Sequence, residues 1–96
     1  MSDVITKAVE ALNEKMGSDG FDGSIKIDIE DEGSIIIDGN GARAGGEDAD
    51  CTLSANAETF EGMLTGDVNP TSAFMSGRLK VDGDMGAAMK LGAILS

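Results

Sequence analysis

The chain has 96 residues, 41% of them hydrophobic, and a net charge of −11 from 18 acidic and 7 basic side chains. That length suits one domain, residues 1–96, whose core is thin because so short a chain buries only roughly 60–65% of its unfolded surface. The acidic balance argues against nucleic acid, whose phosphates are bound by Lys and Arg, and against tight docking on anionic membranes.

The predicted elements start with an amphipathic helix. Ser2 is a candidate cap and Asp3 suits the positive end of the helix. Ile5, Ala8, Val9, Leu12 and Met16 recur at helical spacing, Lys7, Glu10 and Glu14 point elsewhere, and Gly17 is the stop. Ile25, Ile27 and Ile29 then alternate with Ser24, Lys26, Asp28 and Glu30, the pattern of a half-buried strand. Glu30 to Gly33 is a turn, Ile35-Ile36-Ile37 a second strand, and Asp38-Gly39-Asn40-Gly41 its closing turn. A short third strand is expected at Ala42 to Ala44, a loop at Gly45 to Asp48, and a fourth strand at Asp50 to Leu53.

Ser54 is expected to cap the next helix, which carries Phe60, Met63 and Leu64 on one face and stops at Gly66. Asn69 caps a short helix with Pro70 at its first position, where a missing N–H costs nothing. Phe74 and Met75 are its apolar residues and Gly77 ends it. Arg78 to Asp82 alternates as a fifth strand with Leu79 and Val81 inward. The last helix, Asp84 to Leu95, has Asp84 and Lys90 as its charges. The helices between the fourth and fifth strands suggest a crossover joining parallel strands, and the earlier turns suggest antiparallel hairpins. The expected fold is α+β, with helices on one face of a mixed five-stranded sheet.

Three motifs are weak. Asp28 to Gly33 resembles the start of a calcium loop, but the twelfth position is Gly39 and no helices flank it. Gly39-Asn40-Gly41-Ala42-Arg43-Ala44 fits G-x-G-x-x-A, but no helix follows to hold a pyrophosphate. Cys51 has acidic Asp50 beside it, which disfavours the thiolate, and the chain has no His to activate it. No His and one Cys exclude the common zinc spacings, so no metal or cofactor is expected. The acidic residues fall in turns and on polar faces, which argues against general acid–base catalysis and so against an enzyme. The N-terminus lacks a signal-peptide pattern and no apolar run reaches a membrane span. Ile94-Leu95-Ser96 is not a peroxisomal address. A cytoplasmic protein is expected.

The last helix is the feature that plain core packing explains least. It is apolar nearly all round, which calls for burial on most sides, yet it closes a small domain. Small residues (Gly86, Ala87, Ala88, Gly92, Ala93) alternate with flexible Met85 and Met89, leaving volume that Met can adjust.

The stretch from Thr65 to Leu91, TGDVNPTSAFMSGRLKVDGDMGAAMKL, resembles the signature of the sterol carrier protein 2 (SCP-2) family. Its specific parts are Asn69-Pro70 through Gly77 and Gly83-Asp84-Met85-Gly86. The likeness is dense from Ala49 to Leu95, and extends over the N-terminal half only as an order of elements. It suggests a small stand-alone, bacterial-type member. It implies an SCP-2-like fold in which sheet and helices enclose an apolar tunnel, with the C-terminal helix near its mouth. The implied function is non-catalytic carriage of sterol-like lipids, fatty acids or fatty acyl-CoA. The candidate lipid-binding residues are Phe60, Met63, Leu64, Phe74, Met75, Leu79, Val81, Met85, Met89 and Ile94. Of these, Phe74, Met75, Met85 and Met89 are the implied lining, and Leu79 and Val81 the floor. At most weak, transient membrane contact and a monomer or homodimer are expected. The rival reading is an interaction or dimerisation module with a collapsed core and no lipid. Relative to typical eukaryotic members the chain is shorter around Gly41 to Gly46, strongly acidic, and without the C-terminal address. A straight acyl chain is therefore at least as plausible a ligand as a sterol.

Overall fold

A computed structural model describes residues 3–17 and 20–95, with the side chain of Leu95 excepted. The expected cap at Ser2 lies outside the described residues. Helix α1 (Asp3–Met16) buries Ile5, Ala8, Leu12 and Met16, the stripe that its spacing announces, and Gly17 follows with φ +65°. Strands β1 (Ile25–Ile29), β2 (Gly33–Asp38) and β3 (Gly41–Ala44) form an antiparallel meander. Asp31, at φ +66°, makes the first turn, and the backbone N–H of Asn40 donates to Asp38 Oδ1 in the second. The calcium-loop-like and glycine-rich motifs are therefore built around hairpin turns.

The remaining elements are β4 (Cys51–Ala55), α2 (Ala57–Thr65), α3 (Pro70–Met75), β5 (Lys80–Gly83) and α4 (Met85–Leu95). The sheet order is β3-β2-β1-β4-β5. The parallel pair is β1 with β4, in register Ile25↔Cys51 to Ile29↔Ala55, whereas β5 runs antiparallel to β4. This corrects the expected crossover between β4 and β5. The chain crosses the sheet earlier, through residues 45–50, and α2 and α3 only carry it back to the neighbouring edge. Strand β4 also runs two residues past the expected end. Ala55 pairs with Ile29 and its carbonyl accepts from Glu30 N, so the helix cap moves from Ser54 to Asn56, whose Oδ1 accepts from Thr59 N at 2.8 Å.

The alternation of the strands divides the sheet into two faces. Ile25, Ile27, Ile29, Ile35, Ile37, Cys51 and Leu53 are buried together with the apolar residues of the helices. Lys26, Asp28, Thr52 and Ser54 lie on the other face. Ile36 is also on that outer side but is buried, because the segment from Gly45 passes over it, tied down by Gly45 N to Ser34 O. At the β3 edge the side chain of Asn13 acts as a strand partner. Its Nδ2 donates to Ala42 O at 2.9 Å, and its Oδ1 accepts from Ala42 N at 2.8 Å. One helix residue thus satisfies backbone groups that an open edge would leave available for pairing.

Candidate functional site

The site is assembled by α3, β5 and α4. Asn69 starts α3, its Oδ1 accepting from Thr71 N at 2.8 Å and Ser72 N at 3.2 Å, with Pro70 in the first turn. At the other end the N–H groups of Arg78 and Leu79 both donate to Ala73 O, and Gly77 takes φ +83°. That turn drops Leu79 into the interior beside buried Ala73. Val81 then sits opposite Leu53 across the β4–β5 pair. Gly83 reverses the chain at φ +103°, where a Cβ would press on Asp50 O, and Asp84 N donates to that same carbonyl at 3.0 Å. The carboxylate of Asp84 accepts from Gly86 N at 2.9 Å and opens α4.

Helix α4 is anchored by Ala87 and Leu91, four apart and both buried. Its next face looks onto open space. Met85, Ala88, Met89, Gly92 and Ala93 form one wall of a groove of about 440 Å³. Asn69, Pro70, Thr71 and Phe74 of α3 form the opposite wall, and Leu79 and Val81 the floor. A smaller cavity of about 30 Å³ shares Pro70, Leu79, Ala88 and Gly92 with the groove and reaches inward to Ile27, Leu53, Phe60, Met63 and Leu91. The apolar space is thus open at its mouth and narrows towards the core. The exposed large hydrophobic residues of the described chain are Phe74 (43%), Met75 (81%), Met85 (46%) and Met89 (74%), and all four belong to α3 and α4.

The candidate residues fall into three groups. Phe74, Leu79, Val81, Met85 and Met89 come together around the groove. Phe60 and Met63 are 1% exposed and pack in the core, touching only the inner cavity. Leu64 and Ile94 are half-buried against the core, and Met75 is exposed; none of these three lines either space. Met75 follows Phe74 on a helix whose inner side is taken by Ala73, so adjacent positions diverge by about 100° and only one can face the groove. The sequence reading missed Asn69, Pro70 and Thr71 as a wall, and it named Ala88, Gly92 and Ala93 for the volume they leave between the Met side chains but not as lining residues. Extending the stripe from Met85 by helical steps (85, 88, 89, 92) would have found most of the latter.

Among the described residues no ionisable side chain lines the groove. Charge lies elsewhere. Residues 65–96 contain three acidic residues (Asp67, Asp82, Asp84) and three basic ones (Arg78, Lys80, Lys90), so the whole net charge of −11 arises in residues 1–64. Arg78 and Lys80 line a polar cleft with Asp28, Glu30 and Ser54 on the outer face of the sheet. Arg43 bridges Asp38 at 2.8 Å and Glu47 at 2.6 Å beside β2 and β3. Its guanidinium, with the N–H of Asn40, holds the Asp38 carboxyl below its ordinary range. Cys51 is a buried strand residue whose thiol is pushed up by burial and by Asp84 and Asp82 nearby. Among the described residues no group of His, Cys, Asp and Glu is arranged to hold a metal ion.

Residues 6–96 match the SCP-2 sterol transfer family. The chain belongs to that family. It is 36% identical over 98 residues to hydroxysteroid dehydrogenase-like protein 2 of Bos taurus, a match that takes in all of this chain but 22% of that protein. The dehydrogenase in that name thus describes a protein of which this chain spans about a fifth. Among solved structures, sterol carrier protein domain 2 of Helicoverpa armigera is 28% identical with a TM-score of 0.78, covering 96% of this chain and 85% of that one. The sterol carrier protein-2 of Aedes aegypti, solved in complex with the C16 fatty acid palmitate, has a TM-score of 0.80 at 15% identity, covering 100% of this chain and 97% of that one. All three relatives are animal proteins and lend the bacterial-type assignment no support. The SCP-2 architecture and the α+β sheet read from the sequence agree element by element, apart from the strand direction corrected above.

Proposed function

We propose that this chain is a non-catalytic lipid carrier of the SCP-2 type, holding one lipid by its apolar chain between α3, β5 and α4. The observation that carries this reading is the coincidence of the groove with the exposed large hydrophobic side chains. Three of the four, Phe74, Met85 and Met89, line the groove; they are unfavourable in water and become favourable once a ligand covers them. The groove volume of about 440 Å³ lies within the ~300–1,000 Å³ of small-molecule sites. A chain removing roughly 300 Å² of apolar surface from water gains about 7–8 kcal/mol, from which ordering and lost freedom subtract several. The Met side chains suit a carrier because their flexible thioethers adapt to more than one chain shape. The Aedes aegypti protein, bound to palmitate, supports the reading by sharing the fold.

Titration with a fluorescent long-chain lipid analogue tests it. Saturation at one site, with displacement by unlabelled lipid, is the expected result. Absence of saturable binding by a folded sample, together with a dimer in sedimentation, would favour the interaction module instead.

A further inference from the structure

The two edges of the sheet are finished differently. At β3 the side chain of Asn13 takes up the backbone N–H and C=O of Ala42. Among the described residues no side chain does the same for β5, the other edge. Along an antiparallel ladder the backbone groups of successive residues point alternately towards and away from the neighbouring strand. Asp84 N donates to Asp50 O, so Asp82 and Lys80, at even steps from it, face β4 opposite Thr52 and Ser54. Leu79, Val81 and Gly83 point the other way. Leu79 N is taken by Ala73 O, whereas among the described residues the N–H and C=O of Val81 meet no partner beyond the strand. Lys80, Asp82 and Gly83 are exposed and Val81 is half-buried. A free, exposed strand edge is a template for another strand.

The charges along this edge fit a second copy of it. Lys80 and Asp82 flank Val81, and neither has an ion-pair partner among the described residues. When two copies meet antiparallel with Val81 on a two-fold axis, the two Val81 residues exchange both backbone hydrogen bonds. Lys80 of each copy then lies opposite Asp82 of the other, in the closer, non-bonded pairs where opposite charges attract. Neighbouring registers fail. An axis on Lys80 or on Asp82 sets that charge against itself and calls on backbone groups already committed to β4. An axis on Leu79 sets Lys80 against Arg78, and one on Gly83 sets Asp82 against Asp84. The approach is not opposed by the acidic body, because residues 65–96 hold three acidic and three basic side chains and the excess of −11 resides in residues 1–64. We propose that two copies of this chain pair through their β5 edges in this register, continuing one five-stranded sheet into the other. Leu79 and Val81 floor the groove, so the pairing makes one apolar floor shared by two grooves. It depends on the sheet edge, whichever lipid the groove takes.

An edge of 4 residues buries little surface, so the pair is weak and forms at roughly millimolar rather than micromolar protein. Sedimentation equilibrium from about 10 µM to about 1 mM, at a salt concentration that screens the acidic bodies, tests it. The parent chain should pass from monomer to dimer over that range. Lys80→Asp and Asp82→Lys each set like charges opposite one another, and each should weaken association at least about tenfold. An equimolar mixture of the two variants restores opposite charges across the axis and should associate as the parent does. Both side chains are exposed, so each variant should melt close to the parent and still saturate with a fluorescent lipid analogue. A parent chain that stays monomeric to about 1 mM overturns the proposal. Association undiminished in both single variants moves the contact to the exposed hydrophobic residues of α3 and α4 and overturns it too. Failure of the mixture to associate, where the parent does, overturns the register. Pairing as expected with no saturable lipid binding by the parent would overturn the carrier reading and leave the edge contact standing.

Discussion

Gly92 offers a sharp experiment because a helix interior is a poor place for glycine. In α4 it costs about 1 kcal/mol relative to Ala. A Cβ built at Gly92 finds its nearest neighbour, Pro70 Cβ, at 3.8 Å, an ordinary contact. Gly92→Ala should therefore recover most of that 1 kcal/mol with no steric cost. In a domain of this size the gain corresponds to a rise of about 4–8 °C in Tm. Gly62 in α2 is the matched control. There a Cβ would run into the Val68 side chain, so Gly62→Ala should lose about 1–3 kcal/mol through overpacking despite the same helical preference. Thermal unfolding of the lipid-free proteins, followed by circular dichroism, reads both signs. The glycine at 92 keeps the throat between groove and inner cavity clear, so Gly92→Leu should remain folded and lose lipid binding. A fall in Tm for Gly92→Ala would show that the space above it is packed, and the groove would lose its inner end.

Three further outcomes follow from the geometry. Met89 is 74% exposed at the groove mouth, so Met89→Trp should leave the lipid-free Tm nearly unchanged while lipid binding falls; a large loss of stability with binding intact would place Met89 in ordinary core. Asn13→Ala removes two hydrogen bonds to Ala42 and should cost about 1–3 kcal/mol, with self-association through the freed β3 edge visible in sedimentation; a variant as stable and monomeric as its parent would show that the edge needs no cover. The Asp38 carboxyl is lowered in the folded state, so its pairing contributes stability above the ordinary carboxylate pKa and loses it as pH falls through the lowered value. The Tm difference between wild type and Asp38→Asn should thus shrink below about pH 4; a difference that grows with acid would contradict the sign.

The strands and helix faces were legible because each has its own period. Ile25, Ile27 and Ile29 alternate, and Ile5, Ala8, Leu12 and Met16 recur on one side of a helix. Strand direction was not legible in the same way. Residues 25–29 and 51–55 both read as half-buried, and nothing local says that they lie side by side and parallel. That choice belongs to the burial of the whole inner face. The helix cap moved from Ser54 to Asn56 for a related reason. Both residues cap well, and pairing of Ala55 with Ile29 decided between them. At the site, an apolar helical stripe reads the same whether it meets core or ligand. Phe60 and Met63 turned out to be core, while Met85 and Met89 face open space. The small residues Ala88, Gly92 and Ala93 carry no chemical signal of their own, and they matter through the volume they leave.

The way α4 is anchored also bears on kinetics. Among the described residues two fully buried side chains, Ala87 and Leu91, hold it down, with Ala88 and Ile94 half-buried against the core, and removing a Leu from water gains only about 1.5–3 kcal/mol. Its Lys90–Asp22 pair is exposed and adds little. The central pair β1 and β4, by contrast, is buried along its inner face and joins residues far apart in sequence. Lifting α4 should therefore cost much less than the ~5–15 kcal/mol of global unfolding. The amides of α4 should then exchange with solvent deuterium well ahead of those in β1 and β4, and bound lipid should close the difference. If α4 amides exchange only with the whole protein, the helix is a fixed wall, and lipid must enter and leave through the mouth alone. If they exchange early, the residence time of a lipid in the groove is set by how often this helix opens, and tight binding need not mean slow delivery.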